Sequence, residues 1–136
     1  MENTRVAIDT DILIDLLRNV TKVVDSISEM ERKGYMLATT IINAFELFHG
    51  AYKSKKREKN LASTKTLLKR LINLKMGLAS AQNAGRIYAE LEREGQLIGL
   101  RDVMIGAIAL TKGYSLATRN IEHFQEISGL NLIPIP

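Results

Sequence analysis

Cysteine and tryptophan are absent from the 136 residues, proline occurs twice, and aromatic side chains amount to 5%. Without cysteine the chain forms no disulfide, iron–sulfur cluster or thiolate zinc site, a composition that suits a reducing compartment. No apolar run approaches the ~18 residues of a membrane span, and the first residues lack the basic-then-apolar order of a signal segment. The expectation is a soluble, cytoplasmic protein with no membrane partner. There is no internal repeat, linker or low-complexity stretch, so residues 1–136 read as one domain, long enough to bury a core without a covalent or metal staple. What is present in slight excess is positive charge. Lys and Arg number 19 against 15 Asp and Glu, giving +4 and a pI near 9.4, a balance that favours an anionic partner such as nucleic acid.

The stretch Arg5 to Arg18, RVAIDTDILIDLLR, organises the rest. Val6, Ala7 and Ile8 form the short apolar run of a strand buried on both faces, as in a parallel sheet covered by helices. Asp9 then stands at the carboxyl end of that strand, where ligands bind in open α/β sheets. Asp11 begins a short amphipathic helix on Ile12, Leu13, Leu16 and Leu17. Periodicity predicts a second helix over Thr21 to Lys33, a strand at Tyr35 to Ala38, and a helix from Ile41 to about Tyr52 capped by Thr39-Thr40. Lys53, Lys55, Lys56, Arg57 and Lys59 then form a basic run, read as a solvent-exposed turn between helices. Helical spacing resumes from Leu61 to Ile72, and Asn73 to Leu78 is ambiguous, with room for a third strand. A helix from Ser80, as N-cap, to Glu94 follows. The nearly all-apolar helix after Asp102, VMIGAIALTKG, shows little polar face and is expected to be central. Ser115 to Ala117 reads as a strand, Thr118-Arg119-Asn120 as a turn, Ile121 to Ile127 as a short helix, and Leu130 to Ile135 as an edge strand that tolerates Pro134. Strands alternate with helices throughout, which predicts an α/β fold with a short, mostly parallel central sheet flanked by helices.

Three acids stand where acids are unexpected: Asp9 at a strand end, Glu46 on the border of an apolar helix face, and Asp102 at the start of the most hydrophobic helix. If they converge they repel one another unless a cation compensates, and hard divalent ions with oxygen ligands, Mg2+ or Mn2+, are the natural choice. His49 and His123 lack zinc-ligand spacing. Competing readings are a helix cap for Asp9 and Asp102 and a surface ion pair for Glu46. Small residues Gly106 and Ala109 on the Asp102 face would let another element approach closely. Phe45, Phe48 and Tyr52, at helical spacing, suit core or interface better than base stacking.

AIDTDILIDLL, TTIINAFELFHGA and IGLRDVMIGAIALTKGYSLATRNIEHF together resemble, in order and over nearly the whole chain, the motifs of the PIN-domain ribonucleases, and within them the toxin half of VapBC-type toxin–antitoxin pairs. The resemblance implies a PIN-like domain and Mg2+-dependent hydrolysis of RNA phosphodiesters, with Asp9, Glu46 and Asp102 as metal-binding acids. It also implies a homodimer and a cognate antitoxin whose tail occupies the active-site groove. The chain departs from the pattern at Asn120, where many relatives place a fourth aspartate; an amide oxygen can ligate a metal or its water but supplies no charge and no base. Glu122, two residues on, is the candidate substitute, and an N-cap is the competing role for Asn120. Thr10 and Thr118 can position a water or phosphate, Asp11 can support the acids from behind, and Arg101 and Arg119 can hold substrate phosphates. Lys53, Lys55, Lys56 and Arg57 can follow an RNA backbone, since neutralising phosphates releases counterions, or can form an ordinary solvated loop.

Two other readings remain. A non-catalytic RNA-binding or scaffold protein would keep the fold but lack a metal position through Asn120. A haloacid dehalogenase-like phosphatase would use Asp9 and Asp11 as an Asp-x-Asp pair, although Leu13 and the short chain fit that pattern poorly.

Overall fold

A computed structural model describes residues 4–136. The elements run β1 (Arg5–Ile8), α1 (Thr10–Leu17), α2 (Thr21–Arg32), β2 (Met36–Thr40), α3 (Ile41–Lys53), α4 (Arg57–Lys69), β3 (Ile72–Leu74), α5 (Leu78–Arg93), α6 (Leu100–Lys112), β4 (Ser115–Thr118), α7 (Ile121–Phe124) and β5 (Leu132–Pro134). The strands form one sheet in the order β3-β2-β1-β4-β5, every pair parallel. This is the α/β architecture expected from the alternation of elements. Among the described residues no helix is long and apolar enough to cross a membrane.

Burial on both faces explains the composition of β1. Val6 and Ile8 pack into one apolar cluster with Ile12, Leu13, Val23 and Leu47, while Ala7 points to the opposite cluster with Val103, Ile105, Ile108 and Leu116. The period-2 alternation of a strand thus feeds two separate cores, one beneath α1, α2 and α4 and one beneath α5 and α6. As expected, α6 is central: Val103, Ile105, Ala107, Ile108 and Ala109 are fully buried. Gly113 ends it at φ 78°, a left-handed turn that glycine adopts without a Cβ penalty. Gly106 does permit a close approach, since a Cβ there would collide with Ile127 Cδ1.

Several boundaries differ from the sequence reading. β2 runs on through Thr39 and Thr40, because they pair with Asn73 and Leu74 of β3, and the Thr39 hydroxyl also donates to the Ile8 carbonyl at 2.7 Å; Thr40 alone caps α3. The basic run is not wholly a turn, since α4 starts at Arg57. A third strand does form, as β3 over Ile72–Leu74, so it begins one residue before the ambiguous segment that opens at Asn73. α5 starts at Leu78 after Gly77, so Ser80 lies within the helix, buried, rather than capping it. α6 starts at Leu100 after Gly99, placing Asp102 in its first turn, with no side-chain cap bond. α7 stops at Phe124, and β5 is confined to Leu132–Pro134, the residues with strand partners on β4.

The strand order reverses between β1 and β4. β1 leads outward to β2 and β3 on one side, and β4 leads to β5 on the other. The crevice beyond the carboxyl ends of β1 and β4 is therefore the switch point at which such sheets bind ligands.

Candidate active site

Asp9 follows β1 at that switch point, with its backbone N–H on the Ala117 carbonyl of β4 at 2.9 Å. Its side chain is almost entirely enclosed and each oxygen is held. Oδ1 accepts from the Thr10 backbone N–H at 2.8 Å and from Asn43 Nδ2 at 3.0 Å; Oδ2 accepts from the Thr118 hydroxyl at 2.7 Å. The Thr118 oxygen in turn accepts from the Asn120 N–H at 3.0 Å. Asn43 is fixed by a capping box at the start of α3. Thr40 Oγ1 donates to Asn43 Oδ1 at 2.7 Å and accepts from the Asn43 N–H at 3.3 Å, which leaves Asn43 Nδ2 free to serve Asp9 and the Thr10 hydroxyl. One turn further along α3, Glu46 Oε1 accepts from the Thr10 hydroxyl at 2.5 Å.

The three acids meet at one cation, the guanidinium of Arg101. It pairs with Glu46 Oε2 and Asp102 Oδ1 in short contacts, reaches Glu46 Oε1 at 2.6 Å, and lies 3.4 Å from Asp9 Oδ1. Four elements supply this cluster: the β1–α1 junction, α3, the first turn of α6 and the end of β4. Burial pushes the Asp9 carboxyl above the ordinary aspartate range. The Asp11 charge adds to that effect, while the bonds from Thr118 and Thr10 and the charge of Arg101 oppose it without cancelling it. Burial by itself would lower the Arg101 pKa, but the Glu46 hydrogen bond and the charges of Asp9, Glu46 and Asp102 hold it above its ordinary value.

Among the described residues no three acidic, histidine or cysteine side chains stand close enough to chelate an ion as placed, because Arg101 lies between the acids. The donor chemistry nonetheless suits a hard divalent ion. Three carboxylates from separate elements already neutralise one shared cation, and oxygen donors are what Mg2+ and Mn2+ take.

Asp9, Asp11, Arg101, Arg119 and Asn120 line one open depression. Asp9, Glu46, Asp102, Thr10 and Thr118 are thus brought together with Arg101, and Asn120 joins them through Asp102. Asn120 makes no side-chain cap bond to α7; its Nδ2 donates to Asp102 Oδ2 at 3.1 Å. Arg119 pairs with Asp15 at 2.6 Å and donates to the Pro136 carbonyl at 2.9 Å. Glu122 is exposed on α7 and, among the described residues, makes no hydrogen bond or ion pair. Lys53, Lys55, Lys56 and Arg57 are exposed outside the acid depression, while a cleft of about 380 Å3 lined by Glu46, Ser54, Lys59 and Asn60 runs between Glu46 and the ends of their segment. A larger groove of about 450 Å3, between α1, α2 and α4, contains none of the acids. Phe45 and Tyr52 are exposed, Phe45 stacking on His49, so neither belongs to the core.

Two polar residues of the site were not among the candidates drawn from the sequence. Asn43 was legible in the spacing Thr40-x-x-Asn43, a capping-box arrangement with asparagine at the third position. His123 carries no signal beyond its failure to pair with His49 at zinc spacing; its Nδ1 lies 2.9 Å from Asp102 Oδ2 and 2.9 Å from Asn120 Nδ2.

Comparison with known proteins assigns the family. The PIN domain family matches residues 6–130. Ribonuclease VapC2 of Haemophilus influenzae is 31% identical over 123 residues, covering 90% of this chain and 92% of that protein. The tRNA(fMet)-specific endonuclease VapC of Shigella flexneri is 32% identical over the same shares of each chain. In structure, VapBC2 of Rickettsia felis, solved bound to a DNA fragment from its promoter, superposes with a TM-score of 0.89 at 27% identity, covering 96% of this chain and 98% of that one. With its parallel sheet, its acids gathered at the switch point and relatives that match it along nearly their full length, the chain belongs to the PIN domain family and, within it, to the VapC ribonucleases.

Proposed function

We propose that this protein is a metal-dependent endoribonuclease, the toxin of a toxin–antitoxin pair, with Asp9, Glu46 and Asp102 holding Mg2+ or Mn2+. The observation that carries the reading is the convergence of these three carboxylates on one cation at the sheet's switch point. Asp9, Glu46 and Asp102 would hold the ion, and Arg101, which now pairs with all three, would then be free to hold a substrate phosphate. Divalent ions bound by carboxylates neutralise the scissile phosphate and activate water for its hydrolysis. The chain's own residues set the geometry. Thr118, Asn43 and the Thr10 N–H fix both oxygens of Asp9, and the Thr10 hydroxyl orients Glu46. Because these donors are already in place, little reorganisation accompanies binding of the cation and the charged phosphate.

The VapBC complexes among the structural relatives support a cognate antitoxin as partner. The cleft beside Glu46 offers that partner's tail a route to the acids. Exposed Phe45, Leu78, Leu97 and Leu100 supply apolar surface for a homodimer. The cysteine-free composition suits the cytoplasm.

Cleavage of a mixed structured and single-stranded RNA pool, with Mg2+, Mn2+ or EDTA, tests the reading. Cutting is expected with metal only, and Asp102→Asn, folded by circular dichroism, is expected to lose about a hundredfold or more, the usual scale for a group that stabilises transition-state charge. RNA bound but uncut under every metal would overturn the nuclease reading in favour of a binding module.

A further inference from the structure

The segment from Thr118 to Phe124 reaches two of the three acids. The Thr118 hydroxyl donates to Asp9 Oδ2 at 2.7 Å and is braced by the Asn120 N–H at 3.0 Å. From the same segment, Asn120 Nδ2 and His123 Nδ1 approach Asp102 Oδ2 at 3.1 Å and 2.9 Å. The two nitrogens, 2.9 Å apart, converge on that single oxygen. An ionised carboxylate oxygen only accepts, so Nδ1 of His123 carries a hydrogen and donates it. The other oxygen, Oδ1, is turned to Arg101, where Asp9 and Glu46 also pair.

The residue beside His123 holds it in this place. Phe124 is fully buried and, with Ile127, packs against α6 at Gly106, one turn beyond Asp102 on the same helix face. The close approach that this glycine permits seats α7 beside the first turn of α6, so the half-exposed imidazole reaches the nearly enclosed Asp102 carboxylate. Without such donors an aspartate turns about its side-chain torsions, of which the last is broad. With both donors in place one oxygen is occupied and the other is presented.

We infer that His123 is a positioning residue for Asp102: its Nδ1–H, with the Asn120 amide, occupies Oδ2 and leaves Oδ1 as the oxygen that Asp102 presents to the site. The inference rests on the proposed metal-dependent reading and gives His123 no contact with ion or substrate. Groups that hold metal ligands through hydrogen bonds contribute about ten- to a hundredfold to metal affinity. Because His123 acts on the ligand and not on the ion, its effect is the same for Mg2+ and Mn2+.

The test titrates Mg2+ or Mn2+ alone into the full chain by calorimetry, in wild type, His123→Ala and His123→Asn. Asparagine carries an amide N–H2 the same number of bonds from the backbone as imidazole Nδ1, so it keeps the donor and loses the ring. Both ions are expected to bind about tenfold more weakly to His123→Ala and to recover to within about threefold of wild type in His123→Asn. A second readout needs no metal. In EDTA at about pH 8.5, above the ordinary imidazole range, 15N magnetic resonance is expected to find the His123 proton on Nδ1, the minor neutral tautomer of free histidine. The chain has two histidines, and the signal missing from His123→Asn identifies this one. Unchanged affinity in His123→Ala, no recovery in His123→Asn, or a bare Nδ1 overturns the assignment, while the ion bound by wild type leaves the metal-dependent reading standing. If His123→Ala fails to fold, His123→Asn against wild type and the tautomer decide. A wild-type chain that binds neither ion overturns the metal-dependent reading and this inference with it.

Discussion

Asp9 is 3% exposed, and its carboxylate is enclosed before any substrate arrives. Burial raises its pKa, so the folded chain binds that proton more tightly than the unfolded chain does. The sign follows. The stability contributed by the protonated form is complete below the ordinary aspartate value and is lost as pH rises through the higher folded value, so at neutral pH the ionised Asp9 weakens the metal-free fold. Asp9→Asn, which stays neutral, is therefore expected to melt at a higher temperature than wild type at pH 7 in EDTA, and the gap should close as the pH approaches 4. A variant that melts lower at pH 7 would show that Thr118, Asn43 and Arg101 compensate the charge fully. This residue was legible because a carboxylate that ends an apolar strand has few structural explanations. Arg101 was legible only as a neighbour of the site. That it would bind the acids themselves depended on Glu46 arriving from α3, 55 positions away in sequence. His123 was hidden for the same reason, since Asp102 lies on another element and histidine is not unusual on a helix, whereas Asn43 was readable as the third residue of a capping box but not as a partner of Asp9.

At the scale of elements, α6 carries Asp102 and fixes where that acid stands. Its close seat against the Ile127 segment is a packing constraint on the site. Gly106→Val places new atoms against Ile127, Leu130 and Phe124 and is expected to cost about 1–3 kcal/mol by overpacking. Gly106→Ala has opposing terms, since alanine gains about 1 kcal/mol of helix propensity while its Cβ meets the tip of Ile127. The background Ile127→Val removes that tip, so Gly106→Ala should turn stabilising there. Urea denaturation of the four proteins in the cycle measures the coupling, and strict additivity would mean that the Ile127 tip does not limit the approach. The small residues of this helix were readable as a close approach, although nothing in their spacing named Ile127. Element types came through because period-2 and period-3.6 patterns report burial. Boundaries shifted where tertiary bonds extended an element, as at Thr39 on Ile8, or where glycine rather than a polar cap preceded a helix, as at Gly77 and Gly99.

Across the whole molecule, the excess of +4 is modest, so its placement matters more than its size. Lys53, Lys55 and Lys56 are exposed where α3 gives way to α4. Arg57 is less free, since its Nε donates to the Tyr52 carbonyl at 3.1 Å. One cleft is lined by both Glu46 and Lys59, so if RNA binds at the acids this segment offers it a basic path out. If RNA takes that path, each lysine that neutralises a phosphate contributes to the salt dependence of binding. The comparison is best made in the Asp102→Asn background, where the RNA stays whole. Replacing Lys53, Lys55 and Lys56 with glutamine should flatten the plot of log affinity against log salt by up to about 0.7 for each single-strand phosphate that is no longer neutralised. Affinity should fall most at low salt and converge with the parent at high salt, because the lysines act through charge rather than shape. An unchanged slope would identify the run as a solvated loop and send the RNA out by another face. A lower affinity with an unchanged slope would instead mean that the substitutions disturbed α4, and the melting temperature of the triple variant separates that case from the first.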